Sequence, residues 1–300
     1  MPTPATTSKT ALITGCTPGG IGYELAREFH AKGYHVIATA RRPELLGELK
    51  EQGMTTLELD VTKSQSIEAC RNSVADLTGG RLDILVNNAG KRYTIPATDI
   101  DLDEVRATYE TNVFGVMATV QAFAPLLIAT RGTIVMISSL SAVSPYIFRS
   151  IYASSKGALN AYSRTLRQEL RPFGVRVIVS MTGTVKSEGS NYPWVLPADS
   201  IYQRIQDIFY KTVRFSQQNG TMDTQTFART LVAEVIRGNG WFGGLLGGAR
   251  NWFWAGGLST QIWLARFFFG EWLLDQITYR RFELNKLEAI VKKENANKTA

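Results

Sequence analysis

Between residues 10 and 180 the chain repeats one pattern: a short apolar run, then a longer stretch whose apolar positions recur at helical spacing. The runs are 10–14 (T-A-L-I-T), 35–40 (H-V-I-A-T-A), 55–59, 82–86, 133–138 and 175–180 (V-R-V-I-V-S). Such short apolar runs, bounded by Gly, Asp or Asn, read as buried strands. Helical periodicity fills the gaps: from the glycines near 20 through Lys32, after Ser64 as a candidate N-cap, over 101–129 and over 150–171. Strands alternating with helices predict an α/β fold, a doubly wound (Rossmann) parallel sheet flanked by helices, with right-handed crossovers. Residues 1–9 are polar, read as a flexible N-terminus, and lack the apolar core of a signal peptide. Residues 10–240 then form the sheet domain, and 241–300 an aromatic helical extension with a charged tail.

Ligands of doubly wound sheets bind outside the carboxyl ends of the strands, and the polar residues of this chain collect there. The first run is followed by G-C-T-P-G-G-I-G, residues 15–22, and then a helix. Gly15, Gly20 and Gly22 let backbone approach a pyrophosphate, and the helix beginning near Ile21 presents free N–H groups. The second run ends in Arg41-Arg42, where an acidic residue would bind the ribose 2′-hydroxyl of NAD. Two guanidiniums suit a 2′-phosphate instead, which selects NADP(H). Asp60, Asn87-Asn88, Ser139 and Met181-Thr182-Gly183 occupy the ends of the later strands.

Tyr152 and Lys156 stand four residues apart on a predicted helix and so share a face. A phenol titrates near ~10, too high for acid–base work at neutral pH. A neighbouring ammonium favours the phenolate and lowers that value. Tyr plus Lys thereby makes a proton donor from a tyrosine. The hydroxyl of Ser139, at the end of the fifth run, could hold a carbonyl oxygen beside the phenol.

Taken together, T-G-x-x-x-x-G-I-G (14–22), N-N-A-G (87–90), Asn112, Ser139 and Y-x-x-x-K (152–156) resemble the short-chain dehydrogenase/reductase family, over about residues 10–236. Ser139 precedes Tyr152 by the family's usual thirteen residues. Segments such as A-T-A-R-R, T-N-V-F-G and S-I-Y-A-S-S-K, with W-L-L-D-Q-I-T-Y-R-R-F near the C-terminus, are similar to the yeast-type NADPH-dependent reductases of acyl-dihydroxyacetone phosphate and related fungal reductases. The resemblance implies reduction of a ketone by NADP(H). Ser139 would orient the carbonyl, Tyr152 give the proton, Lys156 lower the Tyr152 pKa and hold the nicotinamide ribose, and Asn112 support a water relay to Lys156. Asp60 would bind near the adenine, Asn88 contact a cofactor ribose, Val185 offer its N–H to the nicotinamide amide, and Ser187 keep a hydroxyl there. Two features depart from the family pattern: the glycine loop has one extra residue, and Thr182-Gly183 replaces the usual Pro-Gly. Residues 184–220, polar and irregular, would form a substrate lid.

Composition narrows the partners. The chain has 300 residues, 44% hydrophobic and 20% charged, enough for one large globular domain. A net charge of +7 favours anions, but no Lys/Arg run resembles a nucleic-acid arm. Two cysteines give no disulfide framework or zinc site, no metal site is expected, and an intracellular location fits. A Ser-His hydrolase is disfavoured because no Gly-x-Ser-x-Gly elbow exists and His30 and His35 flank a helix-to-strand turn. The remaining question is the tract 241–282, dense in Trp and Phe but broken by Arg250, Arg266, Glu271 and Asp275. No stretch of about 20 uncharged apolar residues exists there, so a spanning helix is disfavoured. Three readings stay open: peripheral docking on the endoplasmic reticulum or a lipid droplet, a cap over the pocket of a cytoplasmic enzyme, or a subunit contact. The substrate expected is a lipophilic ketone and the assembly a homodimer. A catalytically silent, membrane-associated NADP-binding protein is the reading from another class. It need not keep Ser139, Tyr152, Lys156 and Asn112 together.

Overall fold

The computed structural model describes residues 8–187, 194–241 and 246–299. Among the described residues seven parallel strands form one sheet: β1 (Thr10–Ile13), β2 (His35–Ala40), β3 (Thr55–Glu58), β4 (Ile84–Asn87), β5 (Thr133–Ile137), β6 (Arg176–Thr182) and β7 (Trp252–Ala255), in the order β3-β2-β1-β4-β5-β6-β7. The helices are α1 (Ile21–Ala31), α2 (Gly47–Glu51), α3 (Ser64–Thr78), α4 (Leu102–Tyr109), α5 (Gly115–Ile128), α6 (Ser150–Leu170), α7 (Gln206–Gln218), α8 (Thr224–Val235), α9 (Ser259–Arg281) and α10 (Leu284–Thr299). The order reverses between β1 and β4, and the crevice of a doubly wound sheet opens at that switch.

Both faces of the sheet are buried, which is why its strands read as unbroken apolar runs. Side chains nevertheless alternate between two cores. Ala11, Ile13, Val36, Ala38, Val86, Val135 and Ile178 meet Phe29 of α1, Leu49 of α2 and Phe227 and Leu231 of α8. Leu12, Ile37, Leu85, Ile134, Met136 and Val179 meet Val74 of α3, Phe123 of α5 and Leu159 and Leu166 of α6. A third cluster lies above the strand ends, where Tyr93, Phe148, Leu196, Ile205 and Phe209 pack with Leu284, Leu287 and Ile290 of α10. Among the described residues one helical stretch, Leu102–Ile128, is long and apolar enough to cross a membrane, but half of its most apolar part is buried against the protein.

The six strands read from sequence are present within one or two residues at each end, the ordinary uncertainty of strand limits. Ser64 is the first residue of α3 rather than its cap, and Lys63 holds the cap position. The seventh strand corrects the boundary drawn at residue 240. Trp252–Ala255, assigned to a helical extension, pairs with β6 through Val179↔Trp252 and Thr182↔Ala255. The sequence W-F-W-A alternates like a strand, with Phe253 and Ala255 buried and Trp252 and Trp254 half-buried. Aromatic residues favour strands, but four residues are too few for periodicity to decide. Buried Glu234 of α8 anchors the approach to β7, accepting from Arg250 N (2.6 Å), Nε (3.0 Å) and Nη2 (3.1 Å).

The helical part of the extension is α9 and α10. α9 bends at Gly270, whose φ of +64° and ψ of −152° lie outside the helical region; such a backbone favours glycine. Among the described residues α9 is not itself long and apolar enough to cross a membrane. The expected lid at 184–220 is also corrected in part: residues 201–218 are helical, and Phe209 of α7 is fully buried in the third cluster. Residues 188–193 of that lid, 242–245 of the aromatic tract and 1–7 of the N-terminus lie outside the described residues.

Candidate active site

A cavity of about 840 Å³ runs along the carboxyl ends of the strands. That size suits a cofactor or a drug-sized ligand. One end is built on the glycine loop. Thr14 Oγ1 accepts from Asn88 N (3.0 Å) and Ala89 N (2.9 Å), and Asn88 Nδ2 donates back to Thr14 O (2.8 Å) and Gly15 O (3.0 Å). The loop after β1 and the loop after β4 are thereby laced together. Gly15 has φ +73°, and a Cβ there would come within 2.9 Å of Ala89 Cα, so only glycine fits. Gly20 caps α1 with no side-chain hydrogen bond, which leaves the helix N-terminus to a ligand. Gly15, Gly20 and Ile21 line the cavity; Gly22 does not, and its Cβ position faces Gly15 O at 2.6 Å. Gly22 keeps the helix close to the loop. Asn88 lines the cavity, but its Nδ2 is spent on the loop rather than aimed at a ribose.

The arginine pair separates. Both are exposed, but Arg41 lines the cavity and Arg42 does not. Asp60 lines the same end. Burial pushes its carboxyl up, but the Thr62 N–H (3.0 Å), the Thr62 hydroxyl (2.7 Å) and the Arg41 charge outweigh that and hold it below its ordinary range. Arg41 alone should therefore select a 2′-phosphate. Arg41→Ala is expected to weaken NADPH relative to NADH by about 10-fold or more, as loss of a charge-assisted contact of about 1.5–3 kcal/mol implies, while Arg42→Ala changes the ratio little. Kd ratios from cofactor fluorescence titration check this, and equal effects of the two substitutions would contradict it.

Mid-cavity, β5 and α6 bring the reacting groups together. Ser139 caps a short 3-10 turn and accepts from Ser141 N at 3.2 Å, and its hydroxyl is among the groups that lower the Tyr152 pKa. Lys156 is 4% exposed and donates from Nζ to Ile137 O at 2.8 Å, while Nζ lies 5.9 Å from the Tyr152 ring centroid. Burial alone would raise the Tyr152 pKa. The charges of Lys156, Arg92 and Arg149 and the Ser139 hydroxyl more than offset this, and the phenol titrates below its ordinary value. Burial likewise lowers Lys156, with Tyr152 opposing and Arg92 assisting.

Asn112 stands in a π turn, Glu110–Phe114, between α4 and α5; such turns mark functional positions in helices. Its side chain accepts from Lys91 N (2.7 Å) and donates to Lys91 O (2.9 Å) and Ser155 Oγ (3.0 Å). It pins the loop after β4 to α6, next to Lys156, and does not line the cavity. Val185 and Ser187 do line it. The Val185 N–H makes no hydrogen bond among the described residues, whereas Val185 O accepts from Gln217 Nε2 at 3.3 Å. Ser187 N donates to Gln217 Oε1 (3.1 Å), and Ser187 Oγ accepts from Arg92 Nη2 (3.3 Å).

The other end is apolar. Leu140, Phe215, Leu258, Ile262, Leu274 and Phe282 line it, most of them from α9 and its flanks. Arg266 Nη1 donates to Val143 O at 3.0 Å and ties α9 to the loop after β5. α9 is thus a wall of the cavity. Sequence reasoning also passed over Arg92, Tyr146 and Arg149, which line the cavity beside Tyr152. Only the placement of Arg149 three residues before Tyr152 hinted at it. Cys16 and Cys70 are free and buried, and burial pushes each thiol up to about 12, so neither is a nucleophile here.

This arrangement of glycine loop, Ser139, Tyr152 and Lys156 agrees with the comparisons to known proteins. The model of the short chain dehydrogenase family matches residues 9–192. The chain belongs to the short-chain dehydrogenase family. It is 42% identical over 233 residues to a short-chain dehydrogenase of Penicillium ochrochloron, covering 77% of this chain and 86% of that one. It is 37% identical over 259 residues to the NADPH-dependent 1-acyldihydroxyacetone phosphate reductase of Schizosaccharomyces pombe, covering 84% and 87%. Among solved structures, a short-chain dehydrogenase from Streptomyces avermitilis matches with a TM-score of 0.75 at 24% identity, over 96% of this chain and 99% of that one. An alcohol dehydrogenase from Thermococcus sibiricus, complexed with 5-hydroxy-NADP, matches with a TM-score of 0.62 at 27% identity, over 75% and 91%. This short-chain dehydrogenase is an oxidoreductase, and NADP(H) is the cofactor its residues fit. The Gly15 cradle and the bare α1 terminus suit the pyrophosphate, Arg41 the 2′-phosphate, Lys156 the ribose and the Val185 N–H the nicotinamide amide.

Proposed function

We propose that this short-chain dehydrogenase reduces a lipophilic ketone to a secondary alcohol. The observation that carries the reading is the position of Tyr152 and Ser139, between the cofactor end of the cavity and its apolar end. NADPH, when bound, supplies the hydride to the carbonyl carbon. Ser139 holds the carbonyl oxygen and stabilises its developing charge. Tyr152 gives that oxygen its proton, and Lys156 and Ile137 O fix the ammonium that keeps the phenol acidic. Asn112, by holding the loop after β4 against α6 beside Lys156, would support a water relay to Lys156. The apolar wall of α9 suits an acyl-dihydroxyacetone phosphate, as the Schizosaccharomyces pombe relative's name has it, another long-chain ketone, a steroid or a polyketide, a range that spans lipid metabolism and secondary metabolism. NADPH oxidation measured across those four classes tests the proposal; no turnover with any of them would overturn it.

We further propose that the outer side of α9 docks on a lipid surface. Around the Gly270 bend Trp263, Phe267, Phe268, Phe269 and Trp272 are exposed, Trp272 to 69%. The inner side of the same helix lines the cavity, so docking would bring a long-chain ketone to the mouth of the site. Of the basic residues that follow, Lys286 pairs with Glu283 and Lys292 with Glu288. Aromatic insertion therefore carries the binding more than charge does. Trp252 and Trp254 belong to β7 and take no part. Flotation with neutral liposomes should carry the full chain upward and leave a Phe267→Ser, Phe268→Ser, Trp272→Ser variant behind. If the full chain stays soluble but its gel-filtration volume shifts with those substitutions, the patch is a subunit contact of a homodimer instead.

A further inference from the structure

The substrate end of the cavity carries positive charge that the reduction itself does not require. Asp60, at the adenine end, is the one acidic residue lining the cavity among the described residues. Lys91, Arg92, Arg149 and Arg281 line it on the substrate side. Lys91 is paired with Glu104 at 2.8 Å, and the Arg281 guanidinium lies over the Phe215 ring at 4.9 Å. Arg149 is the informative member. It is only 7% exposed, yet its hydrogen bonds go to neutral oxygens: Nε to Thr94 Oγ1 (3.1 Å) and Nη2 to Val213 O (3.3 Å). Its guanidinium stacks over the Tyr146 ring at 4.1 Å. Among the described residues the charged or titratable groups that reach it are Tyr146, Arg92 and Tyr152, with no carboxylate among them. The hydroxyl of Ser216, another lining residue, is buried and accepts no bond from a described neighbour within hydrogen-bond geometry.

A buried guanidinium without a carboxylate is costly, and a second cation nearby adds repulsion. Structure alone does not need it, because Thr94 and Val213 could be bridged by a neutral side chain. The cost is recovered if an anion completes the site. We infer that Arg149, with Arg92 beside it, binds an acidic oxygen of the substrate close to the reacting carbonyl. The ligand class is then a ketone with a carboxylate or phosphate monoester near the carbonyl, its lipophilic remainder against the α9 wall. This rests on the ketone-reductase reading of the same cavity. A guanidinium fork suits both anions, since each offers paired oxygens.

The test is calorimetric, on the full chain loaded with NADP+, so that no hydride is transferred. Two matched pairs serve as probes: benzoylacetate against its methyl ester, and dihydroxyacetone phosphate against dihydroxyacetone. The expected result is an anion bound about 10-fold or more tightly than its neutral partner in at least one pair, the pair showing which anion the site takes. In Arg149→Met that ratio should fall to about unity, and in Arg149→Lys a part of it should return. Retained NADP+ binding checks that each variant is folded. If Arg149→Met does not fold, Arg149→Lys carries the test, and its ratio must fall below the wild-type one. A ratio near unity in the wild type for both pairs, a ratio unchanged in Arg149→Met, or, should that variant not fold, one unchanged in Arg149→Lys would overturn the inference. Failure of the reductase reading looks different: the anion preference would stand while NADPH oxidation was absent with every ketone.

Discussion

Tyr152→Phe is expected to lower kcat for ketone reduction by about 10³-fold, within the range that a positioned general acid supplies. The phenol is the one acidic proton donor that Ser139 and Lys156 both address. Replacing O–H by C–H leaves the ring, the Lys156 bond to Ile137 O and the glycine loop in place. NADPH binding should therefore persist, and the loss should appear in kcat more than in the cofactor Kd. Stopped-flow measurement of one turnover, beside a fluorescence titration of NADPH, separates the two. Turnover within a few-fold of wild type would remove Tyr152 from the chemistry. Parallel loss of NADPH affinity would mean instead that the phenol builds the cofactor site.

The sheet was legible because its strands are buried on both faces. Runs such as T-A-L-I-T and V-R-V-I-V-S carry their own signal, and Leu12↔Ile37 and Ile134↔Val177 pair as parallel neighbours. The proton-transfer group was legible for a different reason: Tyr152 and Lys156 are four apart on one helix, so local geometry alone unites them. What sequence could not carry was distance in the chain. Val179 meets Trp252 across the sheet, and nothing in W-F-W-A says that its partner is β6. Arg41 and Arg42 look equivalent as neighbours, but the chain leaves β2 there and only one of them turns to the cavity. Asn112 was found by motif, and the structure shows its carboxamide spent on Lys91 and Ser155. Arg149 was passed over because a lone arginine in a loop has an ordinary solvated explanation. Its burial depends on Thr94 and Val213, both more than fifty residues away. The α9 tract was ambiguous because one helix serves two surroundings, and the bend at Gly270 resets which residues face the cavity.

Lys156→Met should show itself in the pH profile as well as in the rate. Lys156 is the first of the charges that pull the Tyr152 pKa down against burial, and Arg92, Ser139 and Arg149 contribute the rest. Without the ammonium, burial regains weight and the phenol titrates higher. The sign differs between the two directions of the reaction. Alcohol oxidation needs the phenolate as base, so its rate rises with pH through the Tyr152 pKa; in Lys156→Met that rising limb should move to higher pH. Ketone reduction needs the protonated phenol, so its fall at high pH should also move upward, while its plateau drops because a less acidic donor gives its proton more slowly. The plateau loss should reach about 10²-fold, and loss of the ribose contact adds a rise in the NADPH Kd. The fold has its own stake, since Ile137 O loses a 2.8 Å partner in a buried place. An unpartnered buried carbonyl costs about 1–3 kcal/mol, offset in part because a buried ammonium is removed as well. Thermal melting keeps that effect apart from the kinetics. A rising limb that stays where it is in the folded variant would show that Arg92 and Arg149, rather than Lys156, set the acidity of the phenol.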